Sequence, residues 1–318
     1  MPDSAGQPVI AVLAGSDPPG DLGDAEVRLA GDSDLSDALS GADVLLVWDF
    51  LSHAVPDAWR AADTSRVRWV HTASAGVDKV TFPELREHPA QITNARGVFD
   101  RPIAEFVAGV VLAFAKDLPG SLRLQQRGEW RHRETTTLAG HTAVVVGSGP
   151  IGRAIADMLA AVGLRTELVG RRAADGVHAF AELGSLLPRA DWLVLAAPLT
   201  DATRGMLDKA ALDLLPDHAR VVNVGRGGLV VERDLVAALA EGRIAGAALD
   251  VFEVEPLPTD SPLWTMENVL VTPHMSGDVL GWREALRTQF LDNLARYRAG
   301  EPLVNVVDKA LGYVKGPS

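Results

Sequence analysis

Ala143-Val144-Val145-Val146-Gly147-Ser148-Gly149-Pro150-Ile151-Gly152 reads as a strand, a tight turn and the start of a helix. Four apolar residues in a row, three of them β-branched, suit a strand buried on both faces. Beyond the turn, Ile155, Met158 and Leu159 follow Ile151 at helical spacing. The three glycines have separate physical tasks in such a unit. Gly147 allows the tight turn, Gly149 lets backbone approach a pyrophosphate, and Gly152 lets the helix pack closely on the strand. A helix that starts here, with Pro150 and Ile151 in its first turn, offers unpaired N–H groups and partial positive charge to phosphate. Glycine-rich turns also occur for purely structural reasons, but the strand, turn and helix in this order favour a dinucleotide site.

Composition narrows the function classes. The chain has 318 residues, enough for two domains with proper cores. Its net charge of −12 disfavours nucleic acid or an anionic membrane surface as a partner. There is no cysteine, which excludes disulfides, thiolate chemistry and cysteine-ligated metals and fits a cytoplasmic location. The start, Met1-Pro2-Asp3-Ser4, lacks the basic-then-apolar pattern of a signal peptide. The longest apolar candidate, 106–115, is about half the length that spans a bilayer and reads as a core helix.

Outward from the glycine turn, strands and helical patterns alternate. Strands are expected over 8–14, 44–48 and 67–71 in the first part of the chain, and at 143–146, 165–169, 192–196, 220–224, 245–251 and 268–272 in the second. Helical spacing begins at Pro102, taken as a first helical position, and Pro119-Gly120 is expected to end that helix. A long amphipathic helix through Leu286, Phe290, Leu294 and Tyr297 should end near Gly300, with the apolar tail 302–307 packing back on the first domain. Strand-helix alternation implies parallel βαβ units. The expected architecture is α/β with two domains: a Rossmann-type doubly wound parallel sheet (101–282) inserted into a smaller flavodoxin-like α/β domain (1–100 and 283–318).

The strand after the glycine-turn helix selects the cofactor. An NAD site usually ends this strand with an acidic residue on the ribose hydroxyls. Here Glu167 falls three residues short of the end, and Gly170-Arg171-Arg172 follows. Two arginines there would neutralise a 2′-phosphate, so NADP(H) is favoured, with NAD(H) left open. Four chemical groups stand at ends of three later expected strands: Arg226 after Val221-Val222-Asn223-Val224-Gly225, Asp250 and Glu255 after Ala247-Ala248-Leu249, and His274 after Thr272-Pro273. Ligands of an open parallel sheet bind outside the carboxyl ends of its strands, so these groups can converge. His53, His71, His88, His132, His141, His178 and His218 show no metal-ligand spacing, no metal is expected, and these histidines read as surface or satisfied core residues.

Asn223-Val224-Gly225-Arg226-Gly227, Leu249-Asp250-Val251-Phe252-Glu253-Val254-Glu255-Pro256 and Thr272-Pro273-His274 resemble the D-isomer-specific 2-hydroxyacid dehydrogenase family, most nearly its glyoxylate and hydroxypyruvate reductases. The resemblance covers nearly the whole chain. It implies NAD(P)H-dependent reduction of a small 2-oxo acid to the D-2-hydroxy acid. His274 would be the proton donor paired with Glu255, and Arg226 would hold the carboxylate and carbonyl oxygen. Backbone amides of Ala75, Gly76 and Val77 would grip the carboxylate. Pro198, Thr203, Val224, Asp250 and Gly277 would line the cofactor beside the glycine turn. Trp48, Phe50, Leu51 and Trp282 are weaker candidates for walls of the substrate pocket. The segment 118–137 resembles the family's subunit contact, which implies a homodimer. A different class stays open, a cofactor-sensing scaffold of the same fold without significant turnover.

Overall fold

Short apolar runs bounded by polar turns become strands in the computed structural model, which describes residues 7–315. These residues divide into two units, 7–98 with 279–315, and 99–278, so the second is contained in sequence within the first.

In the first unit, β1 (Val9–Leu13), β2 (Glu26–Ala30), β3 (Val44–Val47), β4 (Trp69–Thr72) and β5 (Gln91–Asn94) form one parallel sheet in the order β2-β1-β3-β4-β5. This is the flavodoxin-like winding. Every residue of β1 and β3 is buried, which explains their unbroken apolar runs. The two strands that sequence patterning does not single out, β2 and β5, lie at the sheet edges, where charged and polar residues are tolerated. The helix Trp282–Ala299 buries Leu286, Phe290 and Leu294 and ends at Gly300, whose φ of 68° is left-handed and suits glycine. Phe290 stacks on Trp69 with centroids 5.0 Å apart. The tail returns to this unit as expected: Asn293 exchanges two hydrogen bonds with Val304, and Val307 is buried in the unit's core.

In the second unit, β6 (Thr142–Val146), β7 (Arg165–Gly170), β8 (Val177–Ala179), β9 (Trp192–Leu195), β10 (Arg220–Asn223), β11 (Gly246–Leu249) and β12 (Val269–Val271) form a seven-stranded parallel sheet. The order is β12-β11-β10-β9-β6-β7-β8, so the winding reverses between β6 and β9. Loops leaving the carboxyl ends of those two strands diverge and open a crevice. The three-residue β8 escapes sequence reading because it is too short to show a period.

Two helix expectations need correction. The helix Asp100–Ala115 begins two residues before Pro102, which therefore sits inside its first turn, where a missing N–H costs nothing. Pro119-Gly120 opens a helix instead of ending one: Leu118–Gln126 starts there, and the Asp117 side chain accepts the Gly120 N–H at its N-terminus. No described helix is long and apolar enough to cross a membrane.

Candidate active site

The glycine turn joins β6 to the helix Pro150–Ala161, with Pro150 at its first position. Gly147 has φ 127°, and a β-carbon on it would stand 2.5 Å from the Ala196 carbonyl oxygen at the end of β9. A β-carbon on Gly152 would stand 1.6 Å from the Gly147 carbonyl oxygen, so this position admits only glycine. Around Gly149 there is open space. No side chain caps the helix, and its first-turn N–H groups, including that of Ile151, have no intrahelical acceptor. This cradle fits a dinucleotide pyrophosphate.

At the end of β7, Gly170 lies against Ser148 of the glycine turn, since a β-carbon there would meet the Ser148 Oγ at 2.4 Å. The exposed Arg171 and Arg172 follow directly, beside the cradle. Glu167 is committed elsewhere: its carboxylate is 2.6 Å from His178 Nε2 and accepts from Arg189 at 3.3 Å. The only acidic residue of this strand is thus tied to the sheet and does not reach the strand end.

Three successive strands on the other side of the sheet supply the chemical groups. Beyond β10, Asn223 clamps the next turn, donating to the Arg226 carbonyl at 3.0 Å and accepting the Gly225 N–H at 3.1 Å. Beyond β11, the loop 252–256 carries Glu255, whose Oε1 accepts the Phe252 N–H at 3.0 Å. Two reciprocal bonds brace this loop: Glu232 N–H to Glu253 Oε1 at 3.0 Å, and Glu253 N–H to Glu232 Oε2 at 3.2 Å. Beyond β12, His274 adopts φ 52°, an uncommon left-handed conformation for a non-glycine residue. The buried Asp250 holds it there. Its two oxygens accept from Thr272 Oγ1 at 2.6 Å and from the N–H groups of Met275 and Ser276 at 2.9 Å, and its carbonyl accepts the His274 N–H at 2.8 Å.

The outcome is a direct pair, His274 Nδ1 to Glu255 Oε2 at 2.8 Å, with 26% and 30% of the side chains exposed. Burial pushes the Glu255 carboxyl up, but the hydrogen bonds from His274 and the Phe252 N–H and the charges of His274 and Arg226 outweigh it and hold the group below its ordinary value. An ionised carboxylate only accepts, so Nδ1 carries a hydrogen and Nε2 is the nitrogen left for a ligand. Arg226 is near enough for its charge to act on Glu255, and Gly227 makes that approach possible. A β-carbon on Gly227 would stand 1.8 Å from the Phe252 carbonyl carbon.

The sequence of this unit carries the same signal. A profile of the D-isomer specific 2-hydroxyacid dehydrogenase NAD binding domain matches residues 108–276, more than half of the chain. The chain belongs to the D-isomer specific 2-hydroxyacid dehydrogenase family. It is 32% identical over 256 residues to a glyoxylate/hydroxypyruvate reductase A of Arabidopsis thaliana, covering 79% of this chain and 82% of the relative. Among the similar solved structures, two align over nearly the whole chain. One, an NADPH-dependent glyoxylate/hydroxypyruvate reductase from Sinorhizobium meliloti in complex with NADP and sulfate, has a TM-score of 0.83 at 31% identity, over 97% of this chain and 100% of the other. The second, a 2-hydroxyacid dehydrogenase of the family from Xanthobacter autotrophicus Py2 in complex with NADPH and MES, has a TM-score of 0.82 at 32% identity with the same coverage.

The other site residues expected from the family resemblance are placed as follows. Thr203 Oγ1 donates to the Pro198 carbonyl at 2.7 Å and accepts the Thr200 N–H at 2.9 Å, which fixes the loop after β9. The Val224 N–H donates to the Leu195 carbonyl at 3.1 Å, at the same sheet edge. Gly277 lies against Phe99 and Ile103, where a β-carbon would meet the Phe99 ring at 2.7 Å, so helix packing already accounts for a glycine there. In the first unit, the Ala75 carbonyl accepts from Asn94 at 2.6 Å, the Gly76 carbonyl from Ser74 at 2.7 Å and the Val77 carbonyl from Thr81 at 3.0 Å. The N–H groups of these three residues have no acceptor among the described residues, which leaves a row of free donors. Trp48 is buried and latched to the Asp17 carbonyl, so it belongs to the core, whereas Phe50 and Trp282 form an edge-on pair at 6.0 Å.

Two contacts that matter here escape sequence reading. Gly227 has its partner 25 positions on and no local turn signal of its own. Glu232 looks like an ordinary first-turn acid of the helix Glu232–Ala240, and its bond to Glu253 is visible only in three dimensions. The described residues contain no group of three or more His, Cys, Asp or Glu side chains arranged to hold a metal.

Proposed function

We propose that the protein reduces a small 2-oxo acid of the glyoxylate or hydroxypyruvate kind to the D-2-hydroxy acid, with NADPH as the preferred reductant. The single observation that carries this reading is the His274–Glu255 pair, set beside Arg226 on the same sheet edge as the glycine turn.

In this reading Gly147, Gly149, Pro150, Ile151 and Gly152 cradle the pyrophosphate, and Arg171 and Arg172 take the 2′-phosphate. Val224, Pro198, Thr203, Asp250 and Gly277 shape the nicotinamide end. The nicotinamide supplies hydride to the substrate's C2. As negative charge grows on the carbonyl oxygen, protonated His274 gives it a proton from Nε2, and the ionised Glu255 at Nδ1 fixes the ring. Arg226 faces the carboxylate and carbonyl oxygen with a forked cation. The free N–H groups of Ala75, Gly76 and Val77 supply neutral donors for the carboxylate. The homodimer implied by the resemblance is supported by exposed apolar residues on one stretch: Leu112, Leu118, Leu122 and a fully exposed Trp130.

The test follows loss of NADPH absorbance with glyoxylate, hydroxypyruvate and a panel of larger 2-oxo acids. Turnover with a small acid, lost by at least about a hundredfold in His274→Ala with NADPH binding intact, supports the assignment. NADPH binding without turnover on any of the acids sinks it in favour of a non-catalytic binding protein.

A further inference from the structure

The strands β6, β9 and β10 run side by side, and their first residues meet on the edge opposite the glycine turn. A cavity of about 80 Å³ lies there, lined among others by His141, Asp191, Trp192, His218 and Arg220. The chemistry proposed above uses none of these residues.

Arg220 is the unusual member. Its guanidinium carbon lies 5.6 Å from the ring centroids of both Phe114 and Trp192, so both aromatic faces hold it in place. Its Nε is buried with no partner, and the side chain donates no hydrogen bond among the described residues. Burial pushes its pKa below the ordinary guanidinium value against the opposing charge of Asp117. A buried donor left unmade is costly unless an acceptor is supplied.

The neighbouring carboxylate does not supply it. Asp191 Oδ2 accepts the Thr142 N–H at 2.6 Å, and Oδ1 lies 2.8 Å from His218 Nε2 and 3.8 Å from His141 Nδ1. The remaining charges around the cavity are also engaged. Asp117 pairs with Arg133, Asp217 lies 3.5 Å from His218 Nδ1, Lys116 donates to the Thr136 carbonyl and Arg165 to the Gly140 carbonyl. The cavity thus gathers one half-buried cation whose buried Nε has no acceptor and two imidazoles that become cations on protonation. Since about 10–15 Å³ of such space suffices for a water, the cavity has room for one small oxyanion.

We propose that this cavity is a second oxyanion site, apart from the substrate and cofactor positions. It takes a tetrahedral oxyanion of the sulfate or phosphate kind between Arg220 and the two histidines. An imidazolium beside the anion attracts it whereas a neutral imidazole does not, and sulfate keeps its charge, so occupancy grows as pH falls.

Sulfate is titrated calorimetrically into the NADPH-saturated protein at constant ionic strength, at about pH 6 and about pH 8, for wild type and Arg220→Met. The expected result is one more sulfate per chain in wild type than in Arg220→Met, bound at least about tenfold more tightly at the lower pH. The double variant His141→Gln/His218→Gln should keep the site but lose its pH dependence, and it tests the proposal if Arg220→Met does not fold. Equal stoichiometry in wild type and a folded Arg220→Met overturns the proposal. So does a pH dependence unchanged in the histidine variant. Sulfate seen only in crystals grown at molar concentration, with none bound in solution, means an adventitious ion only and overturns it equally.

Discussion

Asp250 holds the backbone of Ser276, its Oδ2 accepting the Ser276 N–H at 2.9 Å inside the protein. The other oxygen accepts from Thr272 and Met275, so one buried carboxylate organises the loop on either side of His274. Asp250→Ala leaves three donors unmatched, and each buried donor without a partner costs about 1–3 kcal/mol. Expected are a midpoint shift in urea unfolding worth at least about 2 kcal/mol and a fall in kcat larger than any change in the KM for NADPH. Wild-type kcat in this variant would show that the loop holds its shape without the carboxylate.

Gly227→Ala tests whether the Arg226 turn must touch the Glu255 loop. The added methyl group would overlap the Phe252 carbonyl, so one of the two loops must move. A misplacement of about 1 Å can cost about a hundredfold in rate. Steady-state kinetics should show kcat/KM for the 2-oxo acid reduced on that scale, with NADPH affinity within about threefold of wild type. Unchanged kcat/KM would mean that the loops tolerate separation.

Arg171→Ala/Arg172→Ala separates the two nicotinamide cofactors. A charge-assisted hydrogen bond contributes about 1.5–3 kcal/mol, which corresponds to about 10–100-fold in binding. The KM for NADPH should rise by that factor while the KM for NADH stays nearly constant. Equal changes for both would remove these arginines from recognition of the 2′-phosphate.

His71 makes the first unit acid-sensitive. It is wholly buried beside Trp69 and Phe290, Nδ1 meets Thr93 Oγ1 at 2.8 Å, and Nε2 has no partner, so the satisfied core histidine expected from the sequence is only half satisfied. Burial pushes its pKa down from 6.5 to about 3. Between those values the unfolded chain binds a proton that the folded protein refuses, so stability falls as pH drops through this window, by about 1.4 kcal/mol per pH unit at most. Urea unfolding should show His71→Leu losing less stability than wild type between about pH 7 and pH 5, the difference being on the order of 2 kcal/mol. Parallel pH dependences would contradict this account.

How much of this was legible in the sequence depends on the distance between the partners. Runs such as 44–47 and 143–146 are legible because a strand buried on both faces is apolar throughout. The edge strand Glu26–Ala30 escapes because solvent relaxes that demand. The glycine turn is legible as a local pattern, and the charged groups after β10, β11 and β12 are legible as ends of apolar runs. Pairings across loops are not: nothing in the order of residues says that Gly227 meets Phe252, that Glu232 meets Glu253, or that His141 and His218 share Asp191. Those contacts are set by strand order, which only the folded sheet reveals.

The reversal of winding between β6 and β9 divides the labour along the chain as well as across the sheet. Everything proposed to grip the cofactor's phosphates lies in 147–172, and the arginine, acid and histidine of the reaction lie in 226–274. A lineage can therefore exchange one reductant for another through changes in a short early segment while its proton-transfer apparatus is inherited untouched. Cofactor preference and substrate chemistry should accordingly vary independently among proteins built on this plan.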